Sequence, residues 1–130
     1  MSELDNFIGG MGRLGNVADL AAKIAAPKLD ALVKAQVAAG VDPSGKPWRL
    51  KKDGDRALVN AARAVRAEAD GEYIYLVVEG PEYWHQVAKA DGSLPQRKMI
   101  PEDGDELSDE MKAIIEASVD EALAQLLGAA

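Results

Sequence analysis

The residues that could carry chemistry are few. The chain has one histidine, His85, and no cysteine, which excludes thiolate zinc sites, iron–sulfur clusters and cysteine nucleophiles. His85 stands between Trp84 and Gln86. A general base needs an orienting partner and a nucleophile or water within reach, and the residues around His85 form no pattern that supplies them. A hydrogen-bonding, structural histidine is the reading its neighbours favour. The densest carboxylates are Glu102, Asp103, Asp105, Glu106, Asp109 and Glu110. They lack the alternating Asx positions, glycine and terminal glutamate of a calcium loop, and read instead as the acidic, solvated entry to a helix. Gly10, Gly12 and Gly15 have GxGxxG spacing, but a dinucleotide site needs a preceding strand and an acidic residue about 20 positions on. A flexible glycine-rich arm over residues 1–15, ordered only against a neighbour, fits them better. Nucleophile-elbow, zinc-protease and phosphate-loop patterns are all missing from the sequence. The chain is therefore read as a non-enzyme with no cofactor or metal.

Charge narrows the partners. Fifteen Lys and Arg face 22 Asp and Glu, a net charge of −7, whereas a phosphate-binding face needs clustered cations that displace counterions. The one basic run, Lys46, Arg49, Lys51 and Lys52, is short and reads as a solvated or subunit-facing patch. With no apolar stretch near 18 residues and no basic amino-terminal region, the expectation is a protein made in the cytoplasm with no membrane partner.

The elements that must position these residues centre on Arg63 to Gln86. This is the one stretch β-branched enough for a sheet. Asp70-Gly71 between two alternating runs predicts a type I′ hairpin over about 63–79. Ala67 is then placed opposite Ile74, Val65 opposite Leu76, and Arg63 opposite Val78. One face (Val65, Ala67, Ile74, Leu76, Val78) is core-like. The other (Arg66, Glu68, Tyr73, Tyr75) suits a partner subunit or second layer.

Upstream, Asn16 is a candidate cap for a long helix over about 16–39, kinked or broken at Pro27 and ended by Gly40. Asp42-Pro43-Ser44-Gly45 reads as a turn leading into an extended arm whose anchor is Trp48. Residues 56–62 read as a helical turn or irregular segment. Tyr83, Trp84, His85 and Gln86 form a short helical or looped element, and Leu94 to Pro101 is extended by its prolines. Ser108 caps a final helix with a stripe of Met111, Ile114, Ile115, Val119, Ala122, Leu123, Leu126 and Leu127. The predicted class is α+β, a small antiparallel sheet packed by a long N-terminal and a C-terminal helix, as one domain over 16–130 behind the arm.

The order of the motifs goes further. Asp42-Pro43-Ser44-Gly45-Lys46-Pro47-Trp48 resembles the "P-D/S-G-x-P-W" signature of the phage virion morphogenesis family, the Mu G-like and P2 S-like tail-completion proteins, where it also follows an N-terminal helix. Leu58 stands where that family has a leucine-rich segment. Gly80-Pro81-Glu82-Tyr83-Trp84-His85-Gln86 resembles its "Y-A-x-x-H-Q" segment, and Leu94-Pro95-Gln96-Arg97 to Pro101 its "I-P-A-R-P-F-L" segment. The resemblance implies a tail-terminator-like fold and a virion protein of tail completion or head–tail joining, forming a ring of six or twelve copies at the neck. Its neighbours would be neck, connector or tail-tube proteins, with DNA passing through unbound. Candidate interface residues are Trp48, Arg66, Tyr73, Tyr75, Tyr83, Trp84, His85 and Arg97, and pairing of both hairpin edges around the ring is the expected means of closure. The competing reading is a small soluble protein-binding or regulatory module, antitoxin-like, with no virion role.

Overall fold

A computed structural model describes residues 3–51, 54, 58, 60–80, 86, 96–102 and 104–128, with side chains described from residue 16 to residue 126 within those ranges. The order is helix α1 (Glu3–Ala39), a 3₁₀ turn (Ala61–Ala64), strands β1 (Val65–Asp70) and β2 (Tyr73–Val78), and helix α2 (Asp109–Leu123), which widens into a π-helical turn over Ala124–Gly128. This is the α+β class read from the sequence, with one antiparallel two-stranded sheet among the described residues.

α1 departs from expectation at both the start and the middle. It begins at Glu3, so the backbone of residues 3–15, expected as a flexible arm, continues the helix, and Asn16 lies inside it rather than capping it. Once a helix is nucleated downstream, each further residue adds a hydrogen bond. Propagation carries the backbone through glycines that each cost about 1 kcal/mol in a helix. Pro27 lies within the helix without ending it. Pro27 and Lys23 are both exposed, so water can satisfy the carbonyl that loses its partner. The far end is as predicted: Gly40 has φ +76°. Its N–H donates to Val37 O, and that of Val41 donates to Gln36 O, the paired bonds of a Schellman cap.

The hairpin register differs by two residues from the predicted one. Asp70 pairs with Tyr73, Ala67 with Leu76 and Val65 with Val78, so the loop residues are Gly71 and Glu72, and of these only Gly71 has a positive φ. A type I′ turn at Asp70-Gly71 needs positive φ at both positions; glycine as first loop residue, the II′ arrangement, needs it once. A shift of two leaves every side chain on its predicted face. Val65, Ala67, Ile74, Leu76 and Val78 do join the core around Leu29, Val33, Val37, Trp48 and Met111.

α1 lies along β1. Ala67 N–H donates to Asp30 Oδ1 at 2.9 Å, and a side chain at Gly71 would meet Asp19 Oδ1, so β1 runs back down the helix. α2 packs on α1 through Val17, Ala21 and Ala122, where small residues permit close approach. Ser118, absent from the predicted stripe, is fully buried there. Its hydroxyl donates to Ile114 O at 2.7 Å, which satisfies its polar atom locally. Ser108 caps α2 as predicted, accepting from Met111 N–H.

Candidate assembly surface

Two groups of singled-out residues meet different fates. The first is a buried brace. After Gly40, Asp42 Oδ1 accepts from Ser44 N–H and Oγ–H and from Lys46 N–H. Burial pushes that carboxyl up, but these bonds outweigh it and hold it below the usual carboxylate range. The turn closes with a bridge between Val41 and Pro47 and a bond from Trp48 N–H to Gly40 O, which fixes where the indole points. Trp48 is buried in the core, and its Nε1–H donates to Lys98 O at 2.9 Å.

The segment that receives it is held from two more sides. Arg97, only 5% exposed, donates from Nε to Arg49 O at 2.9 Å and from a terminal nitrogen to Leu50 O. Arg97 is thus bonded to backbone carbonyls inside the subunit and is not a solvated surface arginine. Gln86 completes the brace: its Oε1 accepts from Met99 N–H at 2.7 Å and Ile100 N–H at 3.0 Å, while its Nε2 donates to Ile100 O at 2.7 Å. The sequence carries Gln86 inside a motif without marking it as a site residue. The available signal was an amide, able to donate and accept at once, beside an extended segment with unpaired backbone.

The second group is exposed. Tyr73 (62%) and Tyr75 (51%) stand on the outer face of the hairpin, their ring centroids 6.5 Å apart and tilted. Arg66 beside them pairs with Glu68 and Glu79; its hydrogen bonds to Glu79 and Glu68 raise its pKa. Tyr83, Trp84 and His85 lie outside the described residues.

The hairpin edges are unequal. Glu79 N–H donates to Ala64 O, and ladder alternation then makes 66/77, 68/75 and 70/73 the bonded pairs. Residues 65, 67 and 69 on β1, and 74, 76 and 78 on β2, turn their backbone groups outward. On β1 that side faces α1, and Asp30 takes the Ala67 N–H. Its other oxygen accepts from Lys34 Nζ at 2.6 Å. Burial raises the Asp30 pKa, but the bonds from Lys34 and Ala67 together hold it below its ordinary value. On β2 no described residue pairs with the outward groups. The expected closure through both hairpin edges is therefore corrected: α1 occupies one of them.

The remaining features hold structure together. A cleft of about 230 Å³ is lined by Asp42, Pro43, Ser44, Lys98, Asp105 and Glu106 among others, but its charged groups are engaged, Asp42 by its own turn and Glu106 by Lys112. Lys98 Nζ pairs with Asp105 Oδ2 at 2.7 Å, and the same oxygen accepts from Glu102 N–H. Among the described residues no group of three or more His, Asp or Glu side chains could hold a metal ion, and no helix is long and apolar enough to cross a membrane. No family model matches the chain, and no curated protein or solved structure matches it either.

Proposed function

We propose that this chain is a structural subunit of a phage virion, acting in tail completion or head–tail joining as part of a ring at the neck. The observation that carries the reading is the brace. The segments bearing the family resemblance, Asp42 to Trp48, Gln86 and Gln96 to Pro101, converge on one another through side-chain to backbone bonds. Their polar groups are spent on architecture and not on a reaction, as suits a protein that presents a rigid surface. The outer hairpin face, with two exposed tyrosines and Arg66, has the aromatic and arginine composition enriched where proteins meet.

In a ring, the acidity of the chain has a use. Each copy contributes −7, so a channel walled by six or twelve copies disfavours adhesion of phosphate and lets DNA pass without being gripped. Neck, connector or tail-tube proteins would lie on either side.

Deleting the coding sequence from the phage that carries it is the decisive experiment. DNA-filled heads and separate tails should accumulate, joined again when the protein is supplied. Normal tailed particles after deletion would reject the proposal, as would tight, steeply salt-dependent DNA binding by the isolated protein.

A further inference from the structure

Among the described residues nothing pairs with the outer edge of β2, and the chain identifies what fits it. β2 reads Tyr-Ile-Tyr-Leu-Val-Val, with no proline, charge or bulge of the kind that blunts an exposed edge. Ile74, Leu76 and Val78 direct their N–H and C=O groups away from β1. These groups accept only another extended strand.

The other extended segments with described partners are already engaged. The carbonyls of Arg49 and Leu50 accept from Arg97, that of Lys98 from Trp48, and the N–H groups of Met99 and Ile100 and the carbonyl of Ile100 are taken by Gln86. Among the described strands, β2 offers the edge that α1 does not lie along. We propose that the outer edge of β2 pairs antiparallel with β2 of a second copy, centred on Leu76, to make a four-stranded sheet across two chains.

The register follows from the backbone. Centring on Leu76 is the alignment that gives all three outward residues an outward partner: Leu76 opposite Leu76, and Ile74 opposite Val78 twice. Three bonded pairs then exchange six hydrogen bonds. On the outer face Tyr75 comes opposite Val77, and Tyr73 opposite Glu79, so no two like charges are opposed. Beneath, Ile74 and Leu76 border an apolar cleft with Leu29, Leu107, Met111 and Ile115, and the added strands cover their half-exposed flanks.

The contact is isologous and closes at two copies. It rests on edge geometry and not on the virion reading. In a ring it cannot run from neighbour to neighbour, but it can join two rings face to face.

Two variants test it, read by mass in solution. The wild-type chain at high micromolar concentration should have twice the 13.8 kDa of one copy, or a multiple of two. Tyr75→Lys, which places a cation opposite Glu68 on its own β1, should fold with unchanged circular dichroism and halve that mass. In a chain without cysteine, Tyr75→Cys with Val77→Cys should cross-link copies in high yield under mild oxidation. The two positions form a non-bonded pair with Cα atoms about 4.5 Å apart, whereas Tyr75→Cys alone should cross-link poorly. A wild-type monomer with no cross-link overturns the proposal. So does an oligomer that survives Tyr75→Lys and fails to cross-link, even if that oligomer is a ring that joins heads to tails.

Discussion

Arg97 and Arg66 are the same residue type in opposite settings. Arg97 is buried and bonded to the carbonyls of Arg49 and Leu50. Arg66 is a third exposed at its side chain and pairs with two glutamates that are more exposed than it is. Trp48 and Tyr75 repeat the contrast among the aromatics, one buried with its polar atom satisfied, the other half in water. The lesson concerns the backbone beneath them. Around Trp48 and Arg97, the described extended segments belong to no sheet, and side chains supply the bonds that a ladder would. Around Arg66 and Tyr75 the ladder exists, and the side chains are left available for a partner.

The contrast is sharpest at Trp48. Trp48→Ala removes a large core side chain and orphans Lys98 O, and should lower stability by about 3–5 kcal/mol, measured by denaturant unfolding. Gln86→Ala comes next. It leaves the N–H groups of Met99 and Ile100 and the Ile100 carbonyl without their partner, and should cost about 2–3 kcal/mol; a loss below about 0.5 kcal/mol would mean the brace is not what holds residues 96–101.

At the boundary between the two regions, Asp30→Ala frees the Ala67 N–H and should cost about 1 kcal/mol. Asp30 also sets a pH dependence. Its folded-state pKa lies below the ordinary value of 3.8, so the folded chain binds that proton more weakly than the unfolded chain does. Its contribution is complete above about pH 4 and is lost as the pH falls further. Asp30→Asn should flatten that part of the stability profile. The smallest effect belongs to the outer face: Tyr73→Ala should shift unfolding by no more than about 0.5 kcal/mol while weakening assembly. A large loss of monomer stability there would erase the distinction between the two regions.

Much of this molecule was legible in its amino acids. The α+β class, the Gly40 terminator, the turn at Asp42, the Ser108 cap and both faces of the hairpin follow from short-range rules, because φ preference, capping and alternation are local properties. The hairpin faces survived even a wrong register, since a slip of two residues preserves the side on which each residue falls. Tertiary structure decided what depends on distant partners. Residues 3–15 are helical because a helix propagates from a segment already held by packing. The role of Arg97 arises where residues about 50 apart in sequence, such as Trp48 and Lys98, become neighbours, and that of Gln86 where the chain returns 13 or 14 residues later. The inequality of the hairpin edges is of the same kind. Nothing in β1 or β2 marks one edge as covered; that is set by α1 lying along β1 with Asp30 at the height of Ala67.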